Sequence, residues 1–307
     1  MTSLVDEGCT TVEGFLLVLP DFTLIVLGAI LARWVMVQPE FWSGVERLVY
    51  YVLFPAMLFR SLANAPTLGS GALALLGAAA VTVLAGFALG WMIRRAIDPN
   101  PVRAASQIQC AYRFNTYMGM ALAGQLAGAS GSALMGAVCG TMVPLVNVLA
   151  VGSMSRGGVR ATLRALGTNP LVLATLAGAA YHLAGLPLPA AMDTLLGRLG
   201  AAAVAMGLIG VGAALRIDRS LLRPASWGIV AIKLLALPAI AWGIATWWGI
   251  EGLAREMLIL FAALPSASSA YILASRLGGD APAVARLISL TTLGSALSLG
   301  VILSLLR

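Results

Sequence analysis

Long apolar runs, each ended by arginine, proline or glycine, set the pattern of this chain. Leu68 to Ile93, Phe114 to Ser155 and Ala165 to Met192 contain no Asp, Glu, Lys or Arg. A helix that crosses a membrane needs about 20 such residues, because its backbone groups must be paired internally across the hydrocarbon. Alternation of period two is absent from the runs, which excludes a barrel. The pattern predicts ten spans: 13–34, 45–63 around Pro55, 68–94, 104–126, 131–154, 169 to before Pro187, 195–215, 227–248, 256–277 and 283–306. Gly128, Ser130 and Gly131 mark the turn after the fourth, and Asn169-Pro170 opens the sixth. The fold class expected is an all-α polytopic membrane protein.

Composition agrees with lipid as the solvent. Hydrophobic residues make up 60% and charged residues 10% of the chain, with a mean hydropathy of +0.95. A soluble surface normally carries roughly 25–35% charged residues. Arginines are unevenly shared among the connectors. Arg33, Arg47, Arg94, Arg95, Arg103, Arg156, Arg160, Arg164, Arg216, Arg219, Arg223, Arg276 and Arg286 fall on one side, while Arg60, Arg198, Arg255 and Arg307 face the acidic Asp6 and Glu7 on the other. The positive-inside rule assigns the first set to the cytoplasm and both termini to the outside. The net charge of +7 is this topological signal, and with no soluble domain a nucleic-acid role is excluded. The polar opening lacks the basic region and cleavage site of a signal peptide, so it reads as retained. Cys9, Cys110, Cys139 and the single His182 form no metal or disulfide pattern, so neither metal nor cofactor is expected.

Five spans per half give the second half the opposite orientation to the first, the arrangement of inverted-repeat transporters. Residues 1–154 would form one unit and 169–307 the other, joined by a cytoplasmic linker, 155–168. At a spacing of 151 residues, Ala123 to Gly128 lines up with Ala274 to Gly279, Asn115 with Ser266, and Thr141 with Thr292.

Candidate chemistry lies where polarity is costly. The fourth span holds Arg113, Asn115, Thr116 and Tyr117, followed by Gly119. A guanidinium beside an amide suits a carboxylate, which it can meet with a bidentate fork; the competing reading is a snorkelling arginine near the membrane edge. In the ninth span Pro265 interrupts a helix near Ser266, Ser268 and Ser269, which either satisfy freed backbone groups or face a substrate. Asp21 is the one acidic residue embedded in an apolar stretch, a proton carrier, a counter-charge to Arg113 or Lys233, a gate or an interfacial carboxylate. Lys233 reads as snorkelling toward the cytoplasm. Thr141, Pro144 and Asn147 in the fifth span, and Thr291, Thr292 and Ser295 in the tenth, are cavity residues or interhelical hydrogen bonds.

With these residues in place, the chain resembles the auxin efflux carrier family of membrane transporters, in its bacterial branch, which includes malonate-transporter-like proteins. The likeness is carried by Leu48 to Leu62 with Pro55, Arg113 to Leu122, Asn169-Pro170, Gly210 to Leu215, Leu264 to Gly279 and Ile288 to Thr292. It implies two inverted five-helix repeats in the bacterial inner membrane. Helices one, two, six and seven would form a scaffold, often dimeric, and the others a transport domain in which broken helices four and nine cross. Asn115 and Pro265 correspond to the asparagine and proline of that crossover. Tyr117, Met118 and Ala121 depart from the family's fourth-helix pattern, so the break there is expected through Gly119 alone, or to be less sharp.

The function expected is secondary transport of a small organic anion, a carboxylate, by elevator-like alternating access. Arg113, Asn115, Thr116, Tyr117, Thr141, Pro265, Ser266, Ser268, Ser269 and Thr292 are the candidate substrate residues. The scarcity of embedded acidic residues points to uniport or proton coupling over sodium symport. The alternative is a non-transporting receptor or sensor on the same fold. An enzyme is excluded for want of a nucleophile and base pair.

Overall fold

The computed structural model describes residues 11–64, 70–154, 163–164, 167–168, 170–214, 224–267 and 269–306. Its named elements are all helical: α1 (Thr11–Ile30), extended by a π turn (Leu31–Val35); α2 (Pro39–Leu48) and α3 (Phe54–Ala63), joined by a π turn (Val49–Leu53); α4 (Ser70–Ile97); α5 (Pro101–Tyr112); α6 (Thr116–Met154); α7 (Pro170–Leu183); and α8 (Ala190–Ala213). Then come α9 (Pro224–Ala231) and α10 (Leu237–Trp247), joined by a π turn (Ile232–Ala236), α11 (Gly252–Ala263), α12 (Ser269–Arg276) and α13 (Ala281–Leu306). All ten expected spans meet a helical segment. Among the described residues five stretches are long and apolar enough to cross a membrane: Leu73–Ile97, Pro101–Met154, Ala190–Ala213, Ser226–Trp247 and Ala281–Leu305.

Proline and glycine shape these helices. The π turns before Pro55 and Pro238 widen the helix just where the ring removes a donor and crowds the preceding turn. The second span begins at Pro39 instead of Val45, since a first-turn proline with Glu40 behind it starts a helix well. α6 covers the second half of the fourth span and the whole of the fifth, bent at Ala127 (φ −140°) and at Gly128, whose φ of +55° favours glycine. The expected turn is thus observed. Pro101 starts α5, and the Asn100 side chain caps it by accepting from the Val102 and Arg103 amides.

The helices pack in two sets that also meet each other, most extensively where α1 lies along α13. α1 lies along α8, α3 lies along α7, and α3 also contacts α8. The first two pairings are equivalent when the halves of the chain are exchanged. α1 and α8 approach through glycine, because a Cβ on Gly28 would meet the Ile209 carbonyl and one on Gly212 the Ile25 carbonyl. At one end Arg60 donates to Asp193 through Nε (2.8 Å) and Nη2 (3.0 Å), and Asn64 Nδ2 joins at 2.7 Å, tying α3 to α8. The second group sets α4 on α5, α11 on α10 and α4, and α13 on α5, α11 and α12. α6 also reaches α3, α7 and α8.

Several residues used in the sequence reading lie outside the described ones: Asp6, Glu7, Cys9, Arg156, Arg160, Asn169, Arg216, Arg219, Arg223, Ser268 and Arg307. The side chains of Asp21 and Arg276 do as well.

The α1–α8 contact makes a direct prediction. Gly212→Val pushes a branched side chain into the Ile25 carbonyl, a form of overpacking that costs about 1–3 kcal/mol or more. Gly210→Ala, where a Cβ meets nothing within 4 Å, is the control. A lowered melting midpoint in detergent is expected for the first alone, and equal midpoints would disprove the close approach.

Candidate functional site

Polar residues on one face of α5 build the site. Ser106, Gln109 and Arg113 recur three and four residues apart, so they share a side of the helix. Ser106 Oγ donates to the Arg103 carbonyl (2.7 Å) and accepts from the Asp280 amide (2.9 Å). Gln109 Nε2 donates to the carbonyls of Ser106 (2.8 Å) and Ala270 (3.1 Å). Arg113 Nη1 reaches Ser269 Oγ at 3.0 Å and its Nη2 reaches Asn147 Oδ1 at 2.7 Å. This face is therefore fastened to α12 and the turn after it.

The fourth span is fully interrupted at its middle. α5 stops at Tyr112, Arg113 is extended (φ −74°, ψ 156°), and α6 starts at Thr116. The ninth span is interrupted likewise between α11 and α12, with Leu264 extended (φ −59°, ψ 141°). The two breaks touch: the Asn115 amide donates to the Pro265 carbonyl at 2.7 Å, and the Phe114 and Phe261 rings pack with centroids 4.5 Å apart. Asn115 Oδ1 accepts from the Tyr117 (3.1 Å) and Met118 (3.2 Å) amides, capping the new helix. Opposite, Ser266 N–H donates to Thr291 Oγ1 at 3.3 Å.

Buried polar atoms without a hydrogen-bond partner collect around these breaks. They include Arg113 Nε, Asn115 Nδ2, Gln109 Oε1, Ser266 Oγ and Thr292 Oγ1. Arg113 is 4% exposed, Asn115 1%, and Ser266 and Thr292 0%. The Ser266 hydroxyl has the Cys110 thiol beside it, without hydrogen-bond geometry. Such atoms each cost about 1–3 kcal/mol while unpaired, and they recommend the place as a binding site. Among the described residues no carboxylate forms an ion pair with Arg113; the pairs present are Arg60–Asp193 and Arg103–Asp280.

The sequence candidates divide accordingly. Arg113, Asn115, Pro265, Ser266 and Ser269 come together, with Thr116 buried beside them in sequence. Arg113 does not snorkel. Gly119 sits one turn inside α6, not at the break, which falls at 113–115 because Asn115 caps the helix there; a Cβ on Gly119 would come 2.7 Å from Leu264 Cδ1. The Tyr117 ring leaves the crossing and packs on Phe54, centroids 4.7 Å apart, and against Gly207. Thr141 is exposed, with its hydroxyl on the Ala137 carbonyl of its own helix at 2.8 Å. Ser106 and Gln109 escaped the sequence reading, although their spacing with Arg113 in a buried helix was the available signal. Asn147 was read only as a general cavity residue. Lys233, expected to snorkel, is 1% exposed.

Comparison with known proteins gives the chain relatives among membrane transporters. The model of a family described as membrane transport protein matches residues 14–155 and 154–303. A protein of Rhizobium meliloti named as a candidate malonate transporter is 28% identical over 308 residues, covering 95% of each chain. An uncharacterized transporter of Methanothermobacter thermautotrophicus is 30% identical over 292 residues, 92% of this chain and 95% of its own.

The cap at the first break is open to test. Asn115→Ala removes it and is expected to cost about 0.5–2 kcal/mol, whereas Thr141→Val gives up one bond within its own helix and should stay within about 0.5 kcal/mol. Denaturation of the purified protein in detergent compares the two, and an Asn115→Ala protein as stable as the parent would refute the capping role.

Proposed function

Because this chain belongs to the membrane transport protein family, that of the auxin efflux carriers, and is thus a membrane transporter and not an enzyme, we propose that it carries a small organic anion, a carboxylate, across the bacterial inner membrane. One observation carries this reading. A guanidinium buried between two interrupted helices is held by the neutral side chains of Ser269 and Asn147, with no ion-paired carboxylate among the described residues. Burying an unpaired charge costs several kcal/mol, and a carboxylate ligand supplies the missing opposite charge. The starts of α6 and α12 add partial positive charge at the same place. Asn115 Nδ2, Ser266 Oγ and Thr292 Oγ1 are donors left for the ligand's oxygens. The name of the Rhizobium relative makes malonate the first compound to try.

The carrier alternates access by an elevator-like movement of one group of helices past the other. α1, α2, α3, α7 and α8 form the scaffold, and a homodimer would form through it. α4, α5, α6 and α9 to α13 move with the site. The bonds from Ser106, Gln109 and Arg113 into 269–280 support treating both interrupted spans as one body. Two inverted units, 1–154 and 169–307, with 155–168 as a linker, are supported by the exchange-equivalent pairs α1–α8 and α3–α7. The arginine-rich connectors support an orientation with both termini outside.

Counterflow of radiolabelled malonate in proteoliposomes tests the reading. Arg113→Gln should weaken malonate binding by about 2–5 kcal/mol, roughly thirtyfold or more in Kd, since it removes one partner of a buried charged pair. Unchanged affinity in a well-inserted variant would sink the anion site. Binding by the parent without counterflow would identify a receptor.

A further inference from the structure

One group at the crossing is left unmatched by a fully ionised ligand. Gln109 is fully buried on α5, one turn before Arg113 and on the same face. Its Nε2 donates to two carbonyls, those of Ser106 (2.8 Å) and Ala270 (3.1 Å). These bonds fix which way the amide faces, because turned over it would set its oxygen against two carbonyl oxygens. Oε1 is left as an acceptor, buried and without a hydrogen-bond partner.

That oxygen belongs to the same seam as the guanidinium. Residues 109–115 find their partners along 265–270: Gln109 bonds Ala270, Cys110 lies beside Ser266, Arg113 bonds Ser269 and Asn115 bonds Pro265. Side chains one turn apart on a helix start about 5–6 Å from each other, and here their partners are consecutive residues of α12. A short dicarboxylic acid with one end on the guanidinium spans a gap of that order.

The unpaired atoms of the seam differ in what they require. Arg113 Nε and Asn115 Nδ2 are donors, and the Ser266 and Thr292 hydroxyls can donate, so all four suit carboxylate oxygens. Gln109 Oε1 can only accept. An ionised carboxylate has no proton to give it, and a fully ionised dicarboxylate would set oxygen against oxygen there.

We propose that Gln109 is a specificity-determining residue of the anion site, and that the substrate carries beside its carboxylate one O–H donor, which Gln109 Oε1 accepts. The donor is either a hydroxyl group or the proton of a second, undissociated carboxyl group. In both cases the bound species has an anionic end for Arg113 and a neutral, donating end for Gln109. A site built to accept a substrate proton rejects the analogue that lacks it, since the buried acceptor is then left unpaired. This rests on the Arg113 reading and adds to it the class of acid carried.

Binding of malonate, methylmalonate and hydroxymalonate to the purified full chain, at about pH 6 and about pH 8, tests the proposal. If a hydroxyl is the donor, hydroxymalonate binds about tenfold or more tighter than methylmalonate, which matches it in size, at both pH values. If a carboxyl is the donor, malonate binds about tenfold or more tighter at the lower pH, since the charge of its first carboxylate keeps a proton on the second there. Gln109→Met keeps the length of the side chain without the acceptor, and should reduce whichever preference the parent shows to within about threefold. A pH response arising from Cys110, Tyr112, Lys233 or Asp280, around α5, would survive that change. A parent that shows neither preference overturns the proposal, and so does a preference that Gln109→Met retains. If Gln109→Met does not fold, the parent's comparison of the three acids decides it in the same sense. Failure of the Arg113 reading looks different: the parent binds none of the three acids, or Arg113→Gln binds them as well as the parent does.

Discussion

Inside a membrane an interrupted helix cannot leave its loose backbone groups to lipid, so each break must be buried in protein or line a watered cavity. The hydrogen bond from the Asn115 backbone amide to the Pro265 carbonyl joins the two interrupted spans and meets part of that demand for both, the Asn115 cap and the Ser266–Thr291 bond meeting more of it. Once it is formed, the other features near it have little freedom. α5 must run beside α12, and a buried polar face is then tolerable because Gln109 and Ser106 find backbone partners across the gap. Arg113, at the end of that face, emerges where α6 and α12 begin.

The two halves share a frame and fill it with different chemistry. At the spacing of 151 the break at 113–115 coincides with 264–266. Within it Arg113 faces Leu264 and Asn115 faces Ser266, so the charge and the capping amide occur once. Thr291, which takes the Ser266 amide, corresponds to Gly140, which has no side chain to offer. The Asn115 amide turns instead to Pro265. Lys233 against Thr82 continues the contrast. A structural device repeated in both halves keeps the fold, while the differences concentrate polarity on chosen sides of one crossing.

The helices were legible because the apolar runs and their arginine and proline borders answer to membrane thickness, a constraint local to each segment. Asn115 and Pro265 were legible too, being an amide and a proline in stretches that disfavour both. The position of the fourth-span break was read one turn late at Gly119, because glycine looked like the weak point. The cause lies in capping: Asn115 Oδ1 accepts from two amides that the start of α6 leaves without a helical partner. Tyr117 belonged by sequence to the same polar cluster, yet its direction depends on the space that Gly207 leaves, 90 residues away. Lys233 was misread for a related reason. Its partner is the Ala262 carbonyl, left without a helical donor where the ninth span is interrupted and the Ser266 amide turns to Thr291, and no local pattern around Lys233 reports that.

The choice of neutral partners for Arg113 is itself informative about a carrier. A carboxylate at Ser269 or Asn147 would neutralise the guanidinium permanently and compete with any anion that approached. An amide and a hydroxyl fix the direction of the fork and leave its charge uncancelled. Both partners stand on helices that belong with the crossing, α6 and α12, and not on the α1, α3, α7 and α8 group. In the proposed movement the guanidinium therefore keeps its hydrogen bonds as it travels, and the anion exchanges with water on either side without the site being rebuilt. The same economy explains why the capping of both half-helices is internal to the crossing. In that proposed movement the hydrogen bonds that orient Arg113 lie within the moving group, and Gly207 and Phe54 meet Tyr117 across its boundary with the proposed scaffold.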